Sequence, residues 1–384
     1  MSPMESIYLD NNATTVIHPE AAKAMLECHQ SGLVNPESQH QRGREARRIL
    51  ETHREQLGQL LGLHLADIHA DHLFFTSGGT EANNLALQGY RLAAEGKNRL
   101  VVSGVEHPSI AATADWLATQ GVEVRVVATN SNGQIDCGHL AALVDDKTFL
   151  VAVMLANNET GVIQPIAEVV DVCEQLQVPV HVDAVQALGK IDLHFRDLAI
   201  SSMSISAHKV HGPRGVGALI TKHGNTPLPI FHGGFQQSAV RPGTESVAMA
   251  AGFTKAVELY LKSSEDHRSR LQHLRDRLES EITRRIDHAL VVGEQAPRLP
   301  HTSNIAFRGV DRQALLMALD VTGVCCSTGS ACASGSSEPS PTLVAMNLPQ
   351  DVIEGALRFS LGIFNSEAEI EEAIERICAV ADVL

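Results

Sequence analysis

The sequence predicts an α/β fold, with a mostly parallel sheet covered by helices and a smaller α+β part behind it. Three observations carry this. Short β-rich runs alternate with longer helical stretches from Leu73 to Thr221, the pattern of strands buried on both faces and joined by crossover helices. Beyond Thr244 the alternation stops and two long helical patterns follow. The chain has 384 residues, more than one small core accommodates.

In order, the expected strands are Leu73–Thr76, Leu100–Ser103, Val122–Val127, Phe149–Leu155, Val178–Asp183, Ile200–Ile205 and Gly217–Thr221. Helical stretches between them include Glu81–Glu95, Ser109–Thr119 and Ile166–Gln177. Glu245–Leu261 and the densely charged Glu265–Ile286 read as the two long helices, and Glu367–Val383 as a final amphipathic one. The large domain is expected over residues 15–260, and the small domain over 1–14 and 261–384. Residues 327–341, STGSACASGSSEPSP, are too small and polar to pack, and read as a mobile loop.

Composition narrows the function. Hydrophobic residues at 44% with charged residues at 20% describe an ordinary globular chain. A formal net charge of −15 argues against direct nucleic-acid binding. Seven cysteines with no regular framework fit a reducing, cytoplasmic setting in which a special thiol is catalytic. No run reaches the roughly 20 apolar residues of a membrane span, and Met1–Thr15 shows no leader pattern. With no CxxC pair and no HExxH, no metal is expected.

Three stretches point to a site. Thr76-Ser77-Gly78-Gly79-Thr80-Glu81-Ala82-Asn83-Asn84 follows a strand and opens a helix, where glycines and exposed N–H groups can cradle a phosphate. A Gly-Gly turn capped by Thr80 could also start a helix with no ligand. His181-Val182-Asp183-Ala184-Val185-Gln186 puts a carboxylate at a strand's carboxyl end, where open α/β sheets bind ligands, although Asp183 could equally cap a helix. Ser204-Ile205-Ser206-Ala207-His208-Lys209 runs a strand into a lysine that is costly to bury unless engaged. Together they supply what pyridoxal phosphate (PLP) needs: a lysine, a carboxylate for the pyridinium nitrogen and a phosphate cup.

With EHPS, ANNETG and STGSACASGS added in order, the chain from Tyr8-Leu9-Asp10-Asn11-Asn12-Ala13-Thr14-Thr15 to Leu357-Arg358-Phe359-Ser360 resembles the cysteine desulfurases, class V enzymes of PLP fold type I. The resemblance implies that Lys209 holds the cofactor and moves the substrate α-proton. It implies that Asp183 keeps the pyridine nitrogen protonated, Gln186 bonds the cofactor phenolate, and His107 stacks on the ring. Gly79, Thr80, Ser206 and His208 would hold the phosphate, with Thr244 arriving from the neighbouring subunit of a homodimer. Arg358 would clamp the substrate carboxylate, assisted by Asn35 and Asn158.

Cys332 would take sulfur from L-cysteine as a persulfide, releasing L-alanine, and pass it to an iron–sulfur scaffold or another acceptor protein such as a tRNA-thiolation enzyme. The context SGSACASGS is similar to the extended-loop, iron–sulfur and nitrogen-fixation type. The other six cysteines read as structural, with Cys325 and Cys326 in a strand. Departures from the family pattern are Phe235 in His232-Gly233-Gly234-Phe235-Gln236-Gln237, His211 and Ile363. Competing readings are a selenocysteine lyase or related PLP lyase, and a non-catalytic scaffold of the same fold.

Overall fold

A computed structural model describes residues 6–329 and 338–383. Cys332 and most of the expected 327–341 loop therefore lie outside the described residues.

Each of the seven expected strands is present. Strand β1 is Ile7–Tyr8. The main sheet comprises β2 (His72–Thr76), β3 (Arg99–Ser103), β4 (Glu123–Val127), β5 (Thr148–Met154), β6 (Val180–Asp183), β7 (Ser202–Ser206) and β8 (Gly217–Thr221). Their order across the sheet is β2-β8-β7-β6-β5-β3-β4. Only β8 runs against its neighbours, pairing antiparallel with both β2 and β7. The carboxyl ends of β2, β3, β5, β6 and β7 therefore share one edge. Every residue of β5, β6 and β7 is buried, so both faces of the sheet are covered here; β5 reads as a nearly unbroken apolar run, whereas β6 (VHVD) and β7 (SMSIS) alternate apolar with polar residues.

Helices Gly79–Ala93 and Pro108–Thr119 cover one face, with Leu85, Leu87, Ile110 and Leu117 packing on Leu100, Val102 and Leu150. On the other face Ile166, Val169 and Cys173 of helix Ile166–Glu174 join a larger cluster with Val151, Val153, Val182 and Ile205. Helices Pro19–Gln30 and Gln41–Leu60, for which the strand-and-helix pattern above made no provision, both pack on helix Val247–Lys262.

Helix Ser264–Arg285 belongs to a separate apolar cluster. It packs with helix Glu367–Ala381 through Leu271, Leu274, Leu278 and Ile282 against Ile370, Ile374 and Ile377. Arg277 bridges Glu367 and Glu371 across their exposed seam. A three-stranded antiparallel sheet of β9 (Ala289–Val291), β10 (Thr302–Phe307) and β12 (Ala356–Ser360) adds to this cluster. Strand β11 (Val324–Cys325) pairs in parallel with β1. That pairing starts the chain in the second cluster. Residues 10–18 then cross to the main sheet, where Thr15 N–H donates to His208 O at 2.9 Å and His18 N–H to His211 O at 2.8 Å. Among the described residues no helix is long and apolar enough to cross a membrane.

Candidate active site

A cavity of about 230 Å³ opens at the shared carboxyl edge. Ala13, Gly79, Thr80, Asn83, His107, Ser109, Asn158, Asp183, Gln186, His208 and Lys209 all line it. Sequence reasoning thus finds its expected lysine, carboxylate, histidine and glycine turn on one cavity, delivered by four different strands.

Lys209 ends a short 3-10 turn, Ala207–Lys209, that follows directly on β7. Its Nζ donates to Ala13 O at 2.9 Å and also to Asn12 O. Asp183 is the last residue of β6 and is 5% exposed. Its Oδ1 accepts from Val185 N–H at 2.9 Å and its Oδ2 from Asn83 Nδ2 at 2.7 Å. The Val185 contact caps a turn, where the sequence offers a helix start as the alternative use of Asp183. Gln186 Nε2 donates to Asn12 O at 3.1 Å.

His107 caps helix Pro108–Thr119, its Nδ1 accepting from Ser109 N–H at 3.1 Å. Burial pushes the His107 imidazole below its ordinary pKa; Asp183 opposes this and Lys209 adds to it. Burial, with Lys209 nearby, takes His208 down to about 4. Glu106, next to His107, is pushed up to about 8 by burial, so it is largely protonated at neutral pH. These three side chains beside Lys209 and Asp183 are therefore neutral.

The phosphate end is formed where helix Gly79–Ala93 begins. Gly78 precedes it and no side chain caps its first turn, so the leading N–H groups are available to an anion. A Cβ at Gly79 would stand 2.6 Å from Val185 Cγ2, so only glycine fits against the Asp183 strand end. Ser206 Oγ is buried and has no hydrogen-bond partner among the described residues.

Arg358 lies on β12 and is 1% exposed. Its Nη2 pairs with Asp10 Oδ1 at 2.6 Å, and its Nη1 donates to Asn158 O at 3.0 Å and Gly329 O at 3.2 Å. Its buried Nε has no partner among the described residues, which with the second Nη2 N–H leaves two of its five donors for a carboxylate. Glu159, beside Asn158, accepts from Ser340 Oγ at 2.6 Å.

Asn35 and Thr244 are not brought to this cavity. They line a separate cleft with Cys28, Pro36 and Ser246. Asn35 Oδ1 accepts from Glu37 N–H at 2.9 Å, a local turn contact. Thr244 also borders a second cleft with Ser77, close to the phosphate turn on its outer side.

All six cysteines among the described residues are held as thiols. Burial raises Cys137 to about 11 and Cys173 to about 12, and raises Cys28, Cys325, Cys326 and Cys378 as well. Cys325 ends β11 and Cys326 follows it, both half-buried.

Three contributors carried no sequence signal of their own. Asn12 joins four elements: Nδ2 donates to Thr302 Oγ1 at 2.9 Å and Asn158 O at 3.1 Å, Oδ1 meets His301 Nε2 at 2.8 Å, and its carbonyl receives Lys209 and Gln186. Asp10 pairs with Arg358 from 348 residues away. Asn83 reaches Asp183 across 100 residues. The one available hint was the cluster of polar residues in Asp10-Asn11-Asn12, too hydrophilic for its place beside an apolar strand. Of the departures, His211 packs as a neutral ring against Tyr260 and Phe364, with burial taking it to about 3. Phe235 is 90% exposed, and Ile363 is half-buried between the two apolar clusters.

The aminotransferase class-V family model matches residues 7–373. A cysteine desulfurase of Nostoc sp. is 41% identical over 372 residues, covering 97% of this chain and 92% of the relative. The cysteine desulfurase NifS of Azotobacter vinelandii is 37% identical over 374 residues, again covering 97% and 92%. Among solved structures, a NifS-like protein superposes with a TM-score of 0.90 at 30% identity, covering 99% of this chain and all of that one. The NifS-like protein of Rickettsia africae gives 0.88 at 31% identity, over 98% and 100%. PLP is the cofactor of this family, and the cavity suits it: a lysine amine, a buried carboxylate and an uncapped helix start face one space, with the buried Ser206 hydroxyl, unpartnered among the described residues, close behind the glycine turn. The chain belongs to the aminotransferase class-V family, and within it to the cysteine desulfurases.

Proposed function

We propose that the chain is a PLP-dependent cysteine desulfurase that converts L-cysteine to L-alanine and collects the sulfur on Cys332. The observation that carries this is the convergence of Lys209, Asp183 and His107 on one cavity beside an uncapped helix start, with Arg358 buried nearby.

When bound, PLP supplies an electron sink for the pair released as the substrate α-proton leaves. Lys209 Nζ holds the cofactor and moves that proton. Asp183 accepts from the pyridine nitrogen, Gln186 serves the phenolate oxygen, and His107 stands against the ring. Gly79, Thr80, Ser206 and His208 hold the phosphate. Arg358 binds the substrate carboxylate through its planar donors, with Asn158 alongside. The Cys332 sulfur then bonds to the substrate sulfur as the substrate C–S bond breaks. One cysteine and one thiol give one alanine and one persulfide, with no outside oxidant. The raised pKa values of the six other cysteines support Cys332 as the nucleophile, since a thiolate is the reactive form.

Our reading completes the site in a homodimer, in which Thr244 of a second copy reaches the phosphate and Asn35 assists at the substrate. The enzyme works in the cytoplasm and hands the persulfide to an iron–sulfur scaffold or another acceptor protein. Lys209→Ala should lose the cofactor's visible band and lower turnover by at least about 10³-fold. Cys332→Ala should keep the band and still bind cysteine, yet release no alanine. A Cys332→Ala protein with normal alanine release would end the assignment.

A further inference from the structure

Asn83 lies on helix Gly79–Ala93, 1% exposed, beneath the cavity, and the roles assigned above leave it unused. Its amide offers two N–H donors and one acceptor oxygen. Nδ2 donates to Asp183 Oδ2 at 2.7 Å and to Ser109 Oγ at 2.8 Å. Oδ1 meets His181 Nε2 at 3.1 Å. This orientation is fixed by chemistry. Turning the amide over would set its oxygen against the Asp183 carboxylate, two acceptors facing each other without a hydrogen.

The remaining hydrogens follow in order. Ser109 Oγ receives an N–H from Asn83, so its own hydrogen is free for His107 Nδ1 at 2.8 Å. The Ser109 backbone N–H points at the same nitrogen from 3.1 Å. His107 Nδ1 thus accepts twice, and the proton of the neutral ring sits on Nε2. On the far side, Asn83 Oδ1 can only accept, so His181 carries its proton on Nε2. His181 Nδ1 then takes the hydrogen of Ser202 Oγ at 2.8 Å. Asp183, Asn83, Ser109 and His107 form one continuous, directional chain.

Resting on the PLP reading of this cavity, we propose that Asn83 is a positioning residue that ties the cofactor-nitrogen carboxylate to the ring-facing histidine. Through Nδ2 it holds Asp183 in place. Through Ser109 it keeps His107 as the Nε2–H form, able to give a proton from Nε2 while Nδ1 stays closed. The groups facing His107 are Asp183 from β6 and Lys209 and His208 from the turn after β7, with Glu106 preceding it in the chain. A donor on Nδ1 favours the neutral ring, so cutting the chain at either link should make His107 easier to protonate.

The test compares Asn83→Ala, Ser109→Ala and Ser109→Thr, with Asn83→Ser as the milder variant if the alanine protein does not fold. Imidazole NMR titration of the apoprotein reads His107 without cofactor or turnover. Its pKa should rise by about 1 pH unit in Ser109→Ala and in the Asn83 variants, since one hydrogen bond is worth about one pKa unit. It should stay in place in Ser109→Thr, which keeps the hydroxyl. Equilibrium binding of PLP should weaken about tenfold in the Asn83 variants and change less than twofold in Ser109→Ala. A merely structural role would not split the two readouts this way. Unchanged His107 titration in both Ser109→Ala and the Asn83 variants overturns the proposal, and so does equal loss of PLP affinity in the two. A wild-type protein that binds no PLP, with the His107 shifts intact, would instead remove the cofactor reading and leave the histidine link standing.

Discussion

Two regions, one lining the cavity and one bordering it, are built on different electrostatic plans. The strand-end region surrounds Lys209 and the Asp183 carboxylate with neutral rings: His181 near 3, His208 near 4 and a neutral His107, all joined by hydrogen bonds to Asn83, Ser109 or Thr14. The bordering region, joined to the cavity where Arg358 donates to Asn158 O, is a charged wall, with Arg358 already paired to Asp10 at 2.6 Å. Such a difference suits two kinds of ligand. A resident cofactor is served by groups that need no rearrangement after it binds. A transient substrate carboxylate must meet a cation held ready by a partner it can replace or share.

Breaking the charged wall should give the larger effect. Arg358→Ala leaves Asp10 without its partner and removes the proposed substrate clamp. Steady-state kinetics should show kcat/KM for L-cysteine lower by about 10²–10³-fold, with KM taking most of the change. The visible cofactor band should persist, because the other wall is intact.

Asp10→Asn sharpens the same comparison. It removes the negative charge competing for Arg358 while keeping the shape. The expectation is a KM for L-cysteine about threefold lower, together with a loss of roughly 1–3 kcal/mol of stability in denaturant melts. A raised KM would mean that Asp10 aims the arginine and does not compete with the substrate.

How far this contrast was legible in the sequence follows from how far apart its partners lie. Strand β5 was readable because burial on both faces makes it a nearly unbroken apolar run, and β6 and β7 because short runs with apolar residues at every second position lead into turns. Lys209, Asp183 and Gly79 were readable because each sits at a strand end with its own local motif. The Asp10–Arg358 pair spans 348 residues and Asn83–Asp183 spans 100, so no local pattern reveals either. The helices Pro19–Gln30 and Gln41–Leu60 were missed for a different reason. Gln41–Leu60 is rich in arginine, glutamine and glutamate, and its apolar face is only Ala46, Leu50 and Leu57 with two glycines, a thin stripe beside so many polar residues.

The neutral wall makes a pH prediction. Burial puts His208 at about 4, below its ordinary value near 6.5. Between those values the unfolded chain binds more protons than the folded one, so stability is full above pH 6.5 and is lost as pH falls toward 4. Thermal melts should show this slope, and His208→Gln should reduce it, the rest coming from His181, His211 and His107.

Lys190 predicts an effect at the other end of the pH scale. It is buried, with Nζ 2.9 Å from Lys209 O and 4.1 Å above the Tyr260 ring, and burial, aided by Lys209, lowers it to about 7 from 10.5. The unfolded chain again holds more protons between these values, so this group adds stability as pH rises from 7 to 10.5. Lys190→Met should remove that rise, while the slope below pH 6.5 remains.

The central claim is that sulfur leaves L-cysteine onto Cys332. The direct measurement is mass spectrometry of the PLP-loaded protein after brief incubation with L-cysteine, with alanine counted in the same sample. The account predicts one added sulfur on the Cys332 peptide and about one alanine per modified chain. Alanine formed with the added sulfur on another cysteine, or with none on Cys332, would contradict it.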